Sequence, residues 1–193
     1  MSTVQLNAAL PPPFRLHKFT VPQYHQLGEL GILTTEDRVE LLEGWIVAKM
    51  DRRAIHGFIV GFLTELIQND LPDGFVVRSQ LPMTTKRSEP EPDVAIVRGA
   101  HADFRTSHPT GKLVRLIIEV ADTSISKDRS KAEIYREAGV EEYWIVNVGD
   151  KSVERYLFSQ TNKAEFLPAD SIASVSIGPR EISIDLTRLF SEQ

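Results

Sequence analysis

The chain contains no cysteine, and it lacks any long hydrophobic run. Without cysteine there can be no disulfide framework, no cysteine zinc site and no thiol catalysis. The same absence fits a reducing compartment, so we expect a cytoplasmic protein. No apolar stretch approaches the roughly 18 residues that a membrane-spanning helix needs, and we expect no membrane partner. The N-terminus has no basic region followed by an apolar one, so it does not resemble a signal peptide.

The chain also has no excess of positive charge. Its 22 lysine and arginine residues are outnumbered by 27 aspartate and glutamate residues, which gives a net charge of −5. This balance argues against tight, sequence-independent binding to a nucleic-acid backbone. It does not exclude a local basic groove, because net charge is a sum over the whole surface. Such a rim could form from Lys86, Arg87, Lys127, Arg129 and Lys131, although a solvated face is the commoner explanation of such clusters.

The length and composition are typical of one globular domain. The chain has 193 residues, of which 41% are hydrophobic and 25% are charged. Residues 1–17 show no periodicity and contain three consecutive prolines, Pro11 to Pro13. We therefore predict a mobile N-terminal tail over residues 1–17 and a single domain over residues 18–193.

Residue patterns predict both helices and strands. Cap residues and helical spacing predict helices over 20–30, with Thr20 as the N-cap, over 54–67 and 126–138, and a short one over 186–190. Alternation and apolar runs predict strands over 39–42, 45–50, 75–81, 93–97, 113–120, 143–148, 153–158 and 182–184. The first two strands flank Glu43-Gly44 and predict a hairpin, with a helix over 36–42 as the rival interpretation. Residues 99–111 are predicted to form a polar loop.

The segment 113–148 is predicted to be a strand, a helix and a strand. Such a unit joins two parallel strands by a right-handed crossover. The pattern therefore predicts an α/β or mixed α+β fold, in which a central mixed sheet is flanked by helices. The first helix and the hairpin form an N-terminal extension of that fold.

Two acidic residues lie in predicted strands, where burial of a carboxylate costs free energy. Asp93 follows a proline at the start of a predicted strand, and Glu119 lies 26 residues later within an apolar one. A carboxylate among apolar neighbours is costly to bury unless it is paired or bound to a metal. Two carboxylates on adjacent strands can share a divalent cation, and Mg²⁺ commonly takes one or two carboxylates with water and substrate oxygens. We therefore predict that Asp93 and Glu119 are metal ligands.

A lysine on the next predicted helix could join these acids. Lys131 shares one helix face with Asp128 and Tyr135, at spacings of three and four residues. If that helix packs over the sheet edge, the ammonium group could orient an attacking water or stabilise charge in a transition state. A metal ion, two carboxylates and a lysine suffice to hydrolyse a phosphodiester. Taken alone, a lysine in this setting more often belongs to a solvated helix face.

The order of several short motifs is more specific than any one residue. The motifs are EPDVAIV at 91–97, IEVADTS at 118–124, DRSK at 128–131 and GVEEYWIV at 139–146, preceded by ELLEGWIV at 40–47 and by His56. Together they resemble the Uma-two endonuclease family, within the PD-(D/E)xK restriction-endonuclease-like superfamily. The resemblance covers roughly residues 18–186.

The resemblance implies a restriction-endonuclease-like core and a nuclease that uses Mg²⁺ or Mn²⁺, with DNA as a partner and a homodimer as the assembly. Asp93 matches the acid of the PD motif and Glu119 the second metal-binding acid. The superfamily's usual lysine, two residues after the second acid, is replaced by Ala121, so its role would fall to Lys131. Secondary candidates for the site are Glu40, His56, Gln80, Asp128 and Tyr135.

Two other functions remain open at this point. One is a non-catalytic nucleic-acid or protein interaction domain on the same fold, which the acidic balance and the displaced lysine favour; it would leave Lys131 far from the two acids. The other is a hydrolase of a small phosphorylated compound, which would have a closed pocket. An open groove, with Arg52, Arg53, Lys86, Arg87 and Arg129 as its lining, would speak against that hydrolase.

Overall fold

The structure, a computed structural model, describes residues 16–49, 53–123, 125–161 and 163–191. The tail predicted over residues 1–17 lies outside these ranges except for its last two residues. None of the helices in the described ranges is long and apolar enough to cross a membrane.

The described residues form four α-helices and ten strands. The helices are α1 (Val21–Glu29), α2 (Ala54–Asp70), α3 (Ile125–Ala138) and α4 (Leu186–Ser191). The strands are β1 (Val39–Leu42), β2 (Trp45–Ala48), β3 (Phe75–Ser79), β4 (Val94–Arg98), β5 (Val114–Ala121), β6 (Glu142–Asn147), β7 (Ser152–Leu157), β8 (Glu165–Pro168), β9 (Ile172–Ile177) and β10 (Arg180–Asp185).

Six strands form one central sheet in the order β3-β4-β5-β6-β7-β8. Strands β5 and β6 are parallel and are joined through α3, whereas the other neighbours in the sheet are antiparallel. The predicted mixed sheet with a strand-helix-strand crossover is therefore confirmed. Strands β1 and β2 form a separate hairpin, and β9 and β10 form another.

Strand β5 separates two apolar layers, because its side chains alternate between the faces of the sheet. Leu116 and Ile118 pack in the layer that contains α2, α4 and the β9–β10 hairpin. Ile117 and Ala121 pack in the layer that contains Tyr135 of α3. Glu119 has the same parity as Ile117 and Ala121, so its side chain belongs on the face that α3 covers.

The N-terminal extension confirms the predicted hairpin, and the rival helix over 36–42 is wrong. Residues Thr35–Asp37 form a short 3-10 turn, and Arg38 then adopts a left-handed conformation with φ of 48° before β1 begins. The hairpin turn has positive φ at both Glu43 and Gly44, at 51° and 83°. Tight two-residue turns of this kind need positive φ at both central residues, and glycine adopts it without strain.

Several predicted boundaries move. The strand predicted over 75–81 ends at Ser79, because Gln80 takes a φ of 54° and its N–H bonds to the carbonyl oxygens of Pro92 and Asp93 at 3.1 Å. Asp93 lies immediately before β4 and does not open it. The loop predicted over 99–111 contains the 3-10 turns His101–Phe104 and Gly111–Leu113.

Two strands near the C-terminus were not predicted. Strand β8 is a four-residue edge strand whose side chains are mostly exposed, so it carries little apolar signal. Strand β9 does alternate, with Ala173, Val175 and Ile177 buried, and this pattern was available in the sequence. The predicted strand over 182–184 is the centre of the longer β10 that pairs with it.

Candidate functional site

Asp93 and Glu119 stand side by side at one end of the central sheet. The antiparallel register pairs Val94 of β4 with Ile118 of β5. One residue further along both strands, Asp93 therefore lies opposite Glu119. Opposite positions in such a pair place their Cβ atoms about 4.5–5.5 Å apart. The two carboxylates predicted to act together are thus neighbours.

Asp93 is held through one of its two carboxylate oxygens. Its Oδ2 accepts a hydrogen bond from the backbone N–H of Val120 at 2.9 Å and lies 3.0 Å from Nε2 of His56, in the first turn of α2. Neither contact uses Oδ1. His56 is buried, and among the described residues its Nδ1 has no hydrogen-bond partner.

Glu119 is also held through one oxygen, by two residues of α3. Its Oε1 accepts hydrogen bonds from Nζ of Lys131 at 2.9 Å and from the hydroxyl of Tyr135 at 2.7 Å. Neither of these contacts uses Oε2. Lys131 and Tyr135 are four residues apart, so they lie one above the other on the face of α3 that packs against β5. All three side chains are buried.

A third carboxylate shares the ammonium group of Lys131. Oε1 of Glu40, on β1, lies 3.3 Å from Nζ of Lys131 and 2.8 Å from Nζ of Lys127. Oε2 of Glu40 accepts the backbone N–H of Glu91 at 3.3 Å. The N-terminal hairpin is therefore tied to α3 through the site itself, and Lys131 bridges Glu119 and Glu40.

Burial and charge set the protonation of this group. Burial raises the pKa of Glu119 to about 8, against the opposing effect of Lys131. Burial also raises the pKa of Asp128 to about 6. Burial would lower the pKa of Lys131, but the charges of Glu119 and Glu40 outweigh it, so this pKa lies above its usual value. Lys131 is therefore an ammonium group at neutral pH, able to donate hydrogen bonds and unable to accept a proton.

The acids surround a small cavity of about 80 Å³. Six of the predicted site residues line it, namely Glu40, His56, Asp93, Glu119, Asp128 and Lys131. Tyr135 does not line the cavity and contacts Glu119 from the apolar layer. Gln80 does not line it either, so the structure gives no support for a place of Gln80 in the cleft.

Sequence reasoning assigned no role to three charged residues at the cavity, namely Asp122, which pairs with Arg53, and the pair Lys49 and Glu91. Lys49 follows β2, and its ammonium group forms an ion pair with the carboxylate of Glu91. Both residues line the cavity. Glu91 stands in the same motif as Asp93, which was a signal, but the position of Lys49 depends on how the hairpin docks and has no local signature.

Three arginines considered for a basic rim or groove, Arg53, Arg87 and Arg129, are paired with carboxylates. Arg87 forms ion pairs with Glu43 at 2.8 Å and with Glu137 at 3.1 Å. Arg129 pairs with the buried carboxylate of Glu154, and Arg53 pairs with Asp122. These guanidinium groups are thus matched by carboxylates and do not form a continuous track for phosphates. Arg52 lies outside the described residues.

The chemistry of the donor set fits a divalent cation that completes its shell with other oxygens. Among the described residues, no three histidine, aspartate or glutamate side chains converge as a ready-made cation cage. Asp93 and Glu119 are each fixed by hydrogen bonds to one oxygen, which orients the other. Mg²⁺ is commonly bound by one or two carboxylates, with water and substrate phosphate oxygens as its other ligands. Asp93 and Glu119 could supply the two carboxylates, and water and substrate would supply the rest.

Comparisons with known proteins agree with the fold and the motifs. The model of a family described as "Uma2: Putative restriction endonuclease" matches residues 21–187. Among solved structures, the chain is similar to one described as a "putative nuclease belonging to DUF820" from Anabaena variabilis ATCC 29413. The TM-score is 0.71 at 17% sequence identity, over 90% of this chain and 98% of the other. At that identity the likeness establishes the fold alone. No curated protein matches the chain.

Proposed function

Because this chain belongs to the Uma2 family, we propose that it is a metal-dependent nuclease that hydrolyses phosphodiester bonds of DNA. One observation carries the proposal. The ammonium group of Lys131 lies 2.9 Å from Glu119, in a small cavity that Asp93 also lines. A metal-binding pair of acids and a fixed positive charge are the parts that phosphodiester hydrolysis needs.

In this proposal Asp93 and Glu119 hold one Mg²⁺ or Mn²⁺ ion. Bound there, the ion would polarise a phosphoryl oxygen and lower the pKa of a water molecule. The N–H of Val120 and the ring of His56 orient Asp93, and the hydroxyl of Tyr135 orients Glu119. These hydrogen bonds fix the carboxylates before the cation arrives, so little reorganisation is needed on binding.

Lys131 supplies positive charge to the reacting phosphate. Its raised pKa keeps it protonated, so it does not act as a general base. Instead, its N–H groups can donate to the attacking water or to a non-bridging oxygen as negative charge builds up in the transition state. Its contacts with Glu119 and Glu40 hold the ammonium group at the cavity wall.

The geometry favours this function over the two alternatives. For a non-catalytic domain we expected Lys131 to lie far from the two acids, whereas in the structure Lys131 contacts Glu119 directly. A hydrolase of a small phosphorylated compound needs a closed pocket, whereas this cavity adjoins a much larger groove with which it shares Lys49 and Glu91. A homodimer, with each site cutting one strand, belongs to the same proposal. The cytoplasmic location stays a prediction.

A metal titration tests the site without a choice of substrate. We expect Mn²⁺ and Mg²⁺ to raise the melting temperature of the wild-type protein. A cation at a hundredfold excess over its Kd adds about 2.7 kcal/mol to the free energy of unfolding. Glu119→Gln, which preserves the shape of the side chain, should abolish the shift. Glu181→Ala, which removes an exposed carboxylate from β10, should leave it unchanged.

Cleavage is then measured with plasmid DNA and labelled oligonucleotides, with each cation and with a chelator. The proposal predicts cleavage that needs the cation and is lost in Asp93→Asn and in Lys131→Met. Cleavage by both variants at the wild-type rate would contradict the assignment of the site. The absence of both a metal shift and any cleavage would favour the non-catalytic domain.

A further inference from the structure

The cavity at the acids has room for the water that a hydrolytic reaction consumes. Its volume is about 80 Å³, and a cavity needs roughly 10–15 Å³ to hold one water molecule. Hydrolysis of a phosphodiester also needs a group that takes a proton from this water as its oxygen attacks phosphorus. The roles proposed above for Asp93, Glu119 and Lys131 leave that group unassigned.

Most carboxylates around the cavity are already engaged by other groups. Six of the described residues that line it carry a carboxylate, and five of these form an ion pair or accept a hydrogen bond. The five are Glu40, Glu91, Asp93, Glu119 and Asp122. Asp93 and Glu119 are moreover the proposed ligands of the cation, so neither can receive a proton while the cation is bound. The sixth carboxylate is that of Asp128.

The nitrogen-bearing side chains at the cavity are poorly placed to take this proton. Lys131 is held as an ammonium group by the charges of its carboxylate partners, and Lys49 and Lys127 form ion pairs with carboxylates of their own. Nε2 of His56 lies 3.0 Å from Oδ2 of Asp93, and the other ring nitrogen, Nδ1, is buried. The histidine therefore contacts an acid with one nitrogen and has no solvent at the other.

Asp128 combines a well-anchored backbone with an unengaged side chain. It lies in the first turn of α3, three residues before Lys131, and it lines the cavity. Its backbone carbonyl oxygen accepts the hydroxyl of the buried Tyr143 at 2.9 Å, which anchors this turn against β6. Its carboxylate forms no hydrogen bond and no ion pair with any residue that the structure describes. Both oxygens are therefore available to a water molecule in the cavity.

The surroundings of Asp128 make its carboxylate a better base than an exposed aspartate. Burial raises its pKa to about 6, and nearby acids act in the same direction against the opposing effect of two lysines. The charged groups that face it are Lys127 and Lys131 of α3, Glu40 of β1, Asp93 before β4 and Glu119 of β5. A base with a pKa close to the working pH is effective, because it is largely ionised and still binds a proton well.

We propose that Asp128 is the general base that accepts a proton from the attacking water. The proposal rests on the nuclease function and adds the residue that carries the proton. The water oxygen forms a bond to phosphorus while one of its O–H bonds breaks, and that proton passes to the carboxylate of Asp128. The bond from phosphorus to the leaving oxygen breaks, its electron pair stays on that oxygen, and the oxygen takes a proton from solvent. Asp128 then releases its proton to solvent.

Asp128→Asn keeps the shape of the side chain and removes the base. We expect kcat for DNA cleavage at saturating Mn²⁺ to fall by about 10²–10⁴-fold, the usual contribution of general acid–base catalysis, with little change in KM. The Mn²⁺-dependent rise in melting temperature should remain, because Asp93 and Glu119 are intact. Glu133→Gln is the matched control: it removes one carboxylate from an exposed position of the same helix and should keep the wild-type kcat.

A pH profile and a modified substrate test the direction of the proton transfer. With Mn²⁺ kept saturating, the wild-type kcat should fall about tenfold for each pH unit below the pKa of Asp128, and the residual activity of Asp128→Asn should lack this dependence. A substrate with sulfur in place of the leaving oxygen, at the linkage that the wild-type protein cuts, needs no protonation of the leaving group. The defect of Asp128→Asn should persist on that substrate.

Three results would overturn the proposal: a wild-type kcat in Asp128→Asn, loss of its Mn²⁺ shift, or recovery of wild-type rates on the sulfur substrate. The second would make Asp128 a metal ligand, and the third would make it the general acid. Urea unfolding checks that the variant folds, and Asp128→Ser takes its place in the same measurements if it does not. A wild-type protein that shows neither a metal shift nor cleavage would instead contradict the nuclease function, and this proposal with it.

Discussion

Tyr135 donates its hydroxyl hydrogen to Oε1 of Glu119 at 2.7 Å, from a ring that is completely buried beneath the site. The same oxygen accepts from Lys131. Because Oε1 accepts two hydrogen bonds, the carboxylate group of Glu119 cannot rotate freely, and this fixes the direction in which Oε2 points. The hydroxyl group of Tyr135 is therefore the contact through which the apolar layer under α3 helps to orient Glu119.

Tyr135→Phe should keep the packing of the ring and remove this donor. We expect the free energy of unfolding to fall by about 1–2 kcal/mol, since a buried acceptor loses a partner. Urea unfolding measures the loss. Tyr156→Phe is the control, because its hydroxyl donates to Glu154 over a longer 3.2 Å from a half-buried ring. Equal losses in the two variants would show that the contact with Glu119 has no special strength.

Lys131→Met should destabilise the protein, because it leaves Glu119 and Glu40 without their shared cation. Removing one partner of a buried ion pair typically costs about 3–5 kcal/mol. Above about pH 8, where Glu119 is ionised, the double variant Lys131→Met, Glu119→Gln should recover part of that loss, since the uncompensated charge of Glu119 is removed too. A double-mutant cycle from urea unfolding gives the coupling energy. Simple additivity would mean that the two residues do not interact.

The stability of the metal-free protein should depend on pH through Glu119. Its pKa is raised by burial from 4.5 to about 8. Between these values the native state retains a proton that the unfolded chain has released. The contribution of this group to the free energy of unfolding therefore falls as the pH rises through the window, by at most about 1.4 kcal/mol per pH unit.

The comparison with Glu119→Gln isolates this effect. Glutamine does not titrate, so the variant should gain stability relative to the wild-type protein between about pH 5 and about pH 8. Metal affinity of the wild-type protein should rise over the same range, because a cation competes with the proton. Urea unfolding in a chelator and metal titrations at each pH measure the two trends. Parallel stability curves for the two proteins would contradict the prediction.

His56→Ala should weaken metal binding without touching a proposed ligand. The variant removes the contact at 3.0 Å that orients Asp93, and loss of such an orienting partner commonly lowers metal affinity by about 10–100-fold. Melting temperatures over a Mn²⁺ titration give the change in Kd. His101→Ala, in an exposed turn away from the cavity, is the control. An unchanged Kd would mean that Val120 alone suffices to hold Asp93.

Gly111→Ala should destabilise the fold at a point remote from the acids. A Cβ at Gly111 would overlap the carbonyl oxygen of Ala138, at the end of α3. Overlap with backbone forces a shift that typically costs about 1–3 kcal/mol. Gly61→Ala, in open space on α2, should instead stabilise the protein by about 0.4–1 kcal/mol. Thermal or urea unfolding of both variants measures the contrast.

Local sequence patterns predicted where the side chains of Glu119, Lys131 and Tyr135 lie relative to one another. The alternation in β5 and the spacing of four in α3 suffice to place Glu119, Lys131 and Tyr135 on facing surfaces once a crossover is assumed. Asp93 joins them because the two strands are neighbours. The metal-binding and catalytic roles of these residues remain predictions.

Other features depend on contacts between segments that are distant in the sequence, and such contacts produce no periodic pattern in it. Lys49 reaches the cavity only because the N-terminal hairpin docks against α3 through Glu40. Gln80 was a candidate through resemblance, but its backbone conformation turns the chain away at the end of β3. Arg87 and Arg129 suggested a basic rim, and their carboxylate partners lie on other elements that no local pattern connects to them.

The position of the lysine on a helix changes how relatives of such a site should be sought. In this chain Ala121 occupies the place two residues after the second acid and packs in the apolar layer, while the ammonium group arrives from twelve residues further on. A text search that requires the acid and the lysine at fixed spacing passes over any chain built in this way. A three-dimensional template made of two carboxylates and one amine, indifferent to which segment supplies each, would retrieve it.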